Sequence, residues 1–287
     1  MKRRTTLNKI ICAILTAILI VELFACFGIT LVKNTICSRE YIENELEKVN
    51  YYQVTKNEIE ESFKYYVLQS NLDDSCVENL ITVEKVKSDT LIELNKYFKN
   101  SKEDIQVDSI KQELNNRINT KVENEYKNIM TEQDKKNIAK LVDIIVDNYT
   151  DNMKTIGSGF EIIHSISKKL DKIENIHVII MYVITLVTII LISIVYIFGT
   201  KNKKIILNKY HAIAFMTVGL MIIITIIALS ITINEEEIQI FTKGITSVII
   251  DAIKSIKASI LVFGIVSFGI GLGISILKNV ILKKYLR

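Results

Sequence analysis

Glu22 is the residue whose chemistry most needs an explanation, because it is a carboxyl near the middle of an apolar run from Ile10 to Val32. An ionised carboxylate at the centre of a bilayer costs at least about 2.5 kcal/mol, so something must offset its placement there. Either it is a protonated group hydrogen-bonded across helices as assembly glue, or it pairs with another protein, or it marks an ion or proton site or a switch between packed states. Three more apolar runs follow, at Val178 to Phe198, Ala212 to Ile233 and Ala258 to Leu277. Their midpoints fall near Thr188, Thr225 and Ser267, so Glu22, Thr188, Thr225 and Ser267 are expected to form a polar layer at one depth if the four helices pack together.

Other reactive side chains are sparse. Cys12 and Cys26 lie in the first run, whereas Cys37 and Cys76 lie outside all four and could form a disulfide in an oxidising compartment. The imidazoles are those of His164, His177 and His211, and the sequence holds no Cys-x-x-Cys, His-Glu-x-x-His or Gly-x-Ser-x-Gly. Metal-dependent or nucleophilic catalysis is therefore not expected, nor is a cofactor, and the protein reads as a non-enzyme. The acidic run Glu235 to Glu237 reads as a solvated segment, with divalent-cation binding as its functional alternative. In the last run, Gly264, Ser267, Gly271 and Ser275 share one face and Gly269 and Gly273 another. Small residues at this spacing let helix backbones approach, so these glycines are expected to pack in the bundle or at an oligomer seam. They follow no strand and lack a dinucleotide-fingerprint spacing, which excludes a nucleotide loop.

The elements that carry these residues are helices. At 1.5 Å per residue each apolar run gives a helix of about 30 to 35 Å, the thickness of a bilayer core. The chain has no proline in 287 residues, and proline is the strongest interrupter of helices. The expected fold is an all-α integral membrane protein with four transmembrane helices and a large extracytoplasmic helical domain between the first and second. Its parts are a cytoplasmic N-terminus and first span (1–37), the extracytoplasmic domain (38–177), and a three-helix membrane region with a short basic link and C-terminus (178–287). The apolar run continues past Leu23, Phe24, Ala25 and Cys26 without turning polar, so the first span is expected to remain uncleaved.

Charge sets the orientation. Lys2, Arg3, Arg4 and Lys9 precede the first core, Lys201, Lys203, Lys204 and Lys209 link the second and third, and Lys278, Lys283, Lys284 and Arg287 follow the fourth. No acid stands among them, and short Lys/Arg-rich loops stay in the cytoplasm. A cell-membrane, multi-pass protein with both termini cytoplasmic is expected. The formal charge of +4 combines a basic inner rim with an acidic remainder, which points to anionic membrane lipid as a partner of the rim and away from nucleic acid.

Residues 38–177 carry helical stripes: Ile59, Phe63, Tyr66 and Val67; Ile110, Leu114, Ile118, Val122 and Tyr126; Ile138, Leu141, Ile145, Tyr149 and Met153. Four hydroxyl–carboxylate pairs at i, i+3 read as helix starts, namely Thr55 with Glu58, Ser75 with Glu78, Thr131 with Asp134 and Ser158 with Glu161. The spacing of Ile163, Ile166, Leu170, Ile173 and His177 predicts a helix that runs unbroken into the second span. Ile245, Val248, Ile249, Ala252, Ile253 and Ile256 predict an amphipathic helix at the membrane surface or against the exported domain.

The stretch from Val54 and Thr55 through Ile81, Val86 and Asp89 to Tyr149 resembles the exported loop of uncharacterised four-span membrane proteins of low-GC Gram-positive bacteria. That resemblance implies a bacterial envelope setting and brings no activity. One span, a large loop and three clustered spans are also similar to permeases of the cell-division and macrolide-exporter class, which work with a separate ATPase, although their external domains are mixed α/β. The functional expectation is an exported helical domain that binds a protein partner of the envelope, as an accessory subunit or as a homo-oligomer, with a permease-like or mechanotransmission role as the alternative.

Overall fold

The computed structural model describes residues 2–35, 37–126, 131–171, 175–199, 208–232, 238 and 242–285. Among these there is no strand. The helices are α1 (Lys2–Asn34), α2 (Arg39–Lys48), α3 (Tyr51–Gln69), α4 (Val83–Phe98), α5 (Asp108–Tyr126), α6 (Glu132–Asp171), α7 (Asn175–Gly199), α8 (Lys209–Thr232) and α9 (Lys243–Tyr285), with a 3₁₀ turn at Asp74–Cys76. Thr6–Asn34, Val178–Gly199, Lys209–Thr232 and Lys243–Leu277 are each long and apolar enough to cross a membrane.

Helix ends are made by short polar side chains. The Tyr41 amide donates to Ser38 Oγ at 3.2 Å to start α2, and the Lys85 amide to Thr82 Oγ1 at 3.1 Å to start α4. At α6 the Asp134 amide donates to Thr131 Oγ1 and the Thr131 amide to Asp134 Oδ2, the reciprocal pair that the sequence predicts. The other three predicted starts fall elsewhere: Thr55 lies within α3, Ser75 in the 3₁₀ turn capped by Asp73, and Ser158 within α6. A hydroxyl three residues before a carboxylate also places both on one face of any helix interior, so the spacing alone does not mark an end. Turns out of the helices use asparagine in the left-handed region, at Asn50, Asn71, Asn79 and Asn100, where its short polar side chain tolerates the conformation.

By contacts the chain divides into two units. One comprises Met1–Thr35, Lys169–Glu237 and Ala252–Arg287, and holds α1, α7, α8 and most of α9. In it Leu19, Ile192 and Ala214 are fully buried, while Val21, Ile14 and Ile224 stand more than half exposed. That arrangement fits helices whose outer faces meet an apolar solvent. The other unit comprises Ile36–Lys168 and Ile238–Asp251. Its core gathers Ile59, Phe63 and Val67 of α3, Val86 and Leu94 of α4, Ile110, Leu114, Ile118 and Val122 of α5, and Ile138, Leu141, Ile145, Tyr149 and Met153 of α6. Each such side chain stabilises the fold by about 1.5–3 kcal/mol on burial. The three stripes thus meet in one core; Tyr66 packs at its margin, and the Tyr126 side chain lies outside the described residues.

Of the two settings expected for the helix after the third apolar run, the structure has the one against the helical domain. Residues 245–256 form the first part of α9, which continues unbroken into the fourth apolar run. No helix breaker separates Ile256 from Ala258, so the helix has no reason to stop there. Ile245 and Val248 pack against the core of the helical unit. The predicted junction of the 163–177 stripe with the second span crosses residues 172–174, outside the described residues, between the end of α6 and the start of α7.

Candidate functional site

Antiparallel packing of α1 on α7 creates a polar seam in an otherwise apolar contact. Thr188 Oγ1 donates to Glu22 Oε1 at 3.0 Å, Cys26 Sγ meets Thr185 Oγ1 at 3.5 Å, and Thr30 Oγ1 meets the Tyr182 hydroxyl at 2.5 Å. Partners advance by four residues along α1 and retreat by three along α7, so ridges of one spacing sit against grooves of the other. Thr188, Thr185 and Cys26 are buried. Glu22 Oε2 is also shielded and has no hydrogen-bond partner among the described residues, so half of the carboxyl is held and half is not.

Thr225 and Ser267 do not join Glu22. Thr225 is exposed and returns its hydroxyl to Met221 O at 2.8 Å within α8, while Ser267 Oγ donates to Phe215 O at 3.1 Å between α9 and α8. Depth along the helix placed all four at one level, but the rotation of each residue about its helix axis decides which can meet. At the α8–α9 contact a methyl group on Gly219 would lie 2.5 Å from Phe268 N, and one on Gly271 would lie 2.7 Å from Met216 N. Gly264 likewise faces Ile222 and Ile223. Gly269 and Gly273 have nothing within 4 Å of such a methyl group and stand outside this contact.

Sequence reasoning passed over the start of α8. Asn208 and His211 are fully buried; Asn208 Oδ1 caps the helix by accepting from the Tyr210 amide at 2.9 Å. The Asn208 amide donates to His211 Nδ1 at 3.2 Å, which leaves Nε2 to carry the proton and donate to Ile189 O at 3.0 Å. Both ring nitrogens are therefore engaged: the Nδ1 bond stays within the first turn of α8, and the Nε2 bond joins α8 to α7. The His164 and His177 side chains lie outside the described residues, as do Glu235, Glu236, Glu237 and the basic link at 201–207. Among the described residues no group of three His, Cys, Asp or Glu side chains could hold a metal ion.

Among the described residues of the helical unit, Asp89 is the most deeply buried carboxyl. Its Oδ2 accepts from the Tyr149 hydroxyl at 2.5 Å and its Oδ1 from Lys85 Nζ at 2.8 Å; Lys85 also donates to Gln106 O at 2.9 Å. Burial pushes the Tyr149 hydroxyl far above its ordinary range, and the Asp89 carboxylate adds to this, so Tyr149 remains a donor. The triad ties α4, α6 and the 99–107 connection together. Cys76 is buried in the same core and Cys37 is half-buried, and no disulfide joins them. A cavity of about 370 Å³ lies beside α5, lined by Ser75, Cys76, Asn116, Arg117, Thr120, Lys121 and Asn124. Its cations are already engaged: Arg117 donates to Glu78 O and pairs with Glu113, and Lys121 pairs with Asp73 at 3.5 Å.

No protein-family model, curated protein or solved structure matches this chain.

Proposed function

We propose that the chain is a bacterial cell-membrane protein, non-enzymatic, whose helical unit lies outside the cytoplasm and binds a protein partner in the envelope as an accessory subunit of a membrane assembly. The observation that carries this proposal is the pairing of a self-sufficient apolar core in residues 36–168 and 238–251 with four membrane-length helices whose flanking short segments are basic. The polar clusters support it from another side. Asp89, Tyr149, Lys85 and His211 direct bonds to neighbouring helices and connections, which is the work of holding a scaffold in register. Tyr65, Leu68 and Ile144 are large apolar side chains of the helical unit left 59%, 57% and 49% exposed, and an exposed aromatic beside aliphatic groups is the composition that anchors a protein contact.

The test is photo-crosslinking in intact cells from positions 65, 68 and 144 in turn. A discrete adduct from position 65, lost on Leu68→Asp while the purified protein keeps its helical circular dichroism, is expected. No adduct from any of the three positions would count against a partner bound through these side chains.

A mechanotransmission role, as in a permease-like subunit with a separate ATPase, is the second proposal, favoured by α9. A single helix holds residues packed on the helical core and, further on, a membrane-length apolar segment.

A further inference from the structure

The start of α9 is seated on α3 by contacts that oppose one another. Glu58 Oε1 accepts from the Lys243 amide at 2.8 Å, so a side chain 185 positions away caps the helix. Lys48 pairs with Asp251 at 2.6 Å, and Ile245 and Val248 pack on the core. Gly244 allows the approach, since a methyl group there would lie 2.8 Å from Thr55 Oγ1 and 3.2 Å from Tyr51 Cε2. Against these stand three buried polar atoms without a hydrogen-bond partner among the described residues, Tyr51 Oη, Thr55 Oγ1 and Glu58 Oε2. They sit at i, i+4 and i+7 on one face of α3, the face that receives Lys243 and Gly244. The Tyr51 hydroxyl stands beside the Thr55 and Thr90 hydroxyls, and Thr90 gives its own to Val86 O.

An unsatisfied buried polar atom disfavours the closed arrangement by a factor on the order of ten to a hundred relative to one open to water. The Lys48–Asp251 pair is partly exposed on its lysine side and offsets little of this. Undocking the first turns of α9 would hydrate all three atoms at once. We propose that Tyr51, Thr55 and Glu58 form a releasable latch for Lys243–Asp251, closed in this structure and opening as a unit while the α3–α6 core stays folded. The latch does not depend on which side of a membrane the helical unit occupies.

Hydrogen–deuterium exchange followed by mass spectrometry on the full chain in lipid nanodiscs tests this. In the wild type, amides of 243–251 should exchange through an opening that leaves 110–122 and 138–153 protected. Tyr51→Phe deletes one orphan oxygen without adding bulk, and should slow exchange of 243–251 by about tenfold. Gly244→Ala should speed it at least as much, because Thr55 is a stiff β-branched side chain and Tyr51 is buried, so neither yields easily. Exchange of 243–251 in step with the core would overturn the latch. So would unchanged or faster exchange in Tyr51→Phe, the result expected if ordered water already satisfies the seat.

Discussion

Glu22 shows how a single carboxyl can be half accounted for. Thr188 holds one oxygen across the α1–α7 contact while the other has no partner among the described residues. Glu22→Gln keeps shape and bonding capacity, and Glu22→Leu removes both. If the bond to Thr188 is assembly glue, Gln should leave unfolding in detergent unchanged and Leu should shift it by about 0.5–2 kcal/mol at most; a loss of cell-level function in Gln with the fold intact would assign Glu22 an ionic role instead. In the helical unit, burial pushes the Tyr52 hydroxyl up to about 12, with Glu47 and Glu43 adding to the effect. The folded form therefore holds its proton more tightly than the unfolded chain. The resulting stabilisation is complete below pH 10, the ordinary phenol value, and is lost as pH rises toward about 12. Alkaline titration should show unfolding by circular dichroism accompanying the late rise of phenolate absorbance, and Tyr52→Phe should lack the loss of stability that this group gives the wild type above pH 10. A Tyr52 phenolate, read as the difference between wild type and Tyr52→Phe, that appears at ordinary pH in the native protein would contradict this environment.

Helices were legible from the sequence because apolar spacing reports which face is buried. Ile110, Leu114, Ile118 and Val122 fall on one side of α5 whatever they pack against. Pairings between distant segments were not. Glu58 stands three residues after Thr55 and reads as part of its own helix start, yet it caps α9, and no local pattern announces a partner so remote. The same limit separated Glu22 with Thr188, which meet, from Thr225, which does not: helical depth is readable, but angular position in a bundle depends on the neighbours. The α1–α7 register has a direct test. Cys26 Sγ and Thr185 Oγ1 lie 3.5 Å apart, so Thr185→Cys should form a disulfide with Cys26 under mild oxidation, whereas Met181→Cys should not. Efficient bonding from position 181 in place of 185 would mean that the two helices pair in another register.

For the whole molecule, composition and patterning separate the membrane-length helices from a helical unit with its own core, and the structure adds residues 238–251 to that unit. This return of the chain was legible only as one of two alternatives, because 245–256 are amphipathic, a pattern equally suited to a membrane surface and to a protein core. The proposed function depends on where the helical unit resides, which is set by Lys and Arg in the short segments around the apolar helices. Single cysteines at Lys102, in the helical unit, and at Lys284, beyond the fourth apolar run, should be treated in intact cells with a membrane-impermeant maleimide, in a background with the native cysteines replaced. Modification of Lys102→Cys from outside with Lys284→Cys spared until the cells are permeabilised is the predicted result; labelling of Lys284→Cys in intact cells, or protection of Lys102→Cys, would contradict the account.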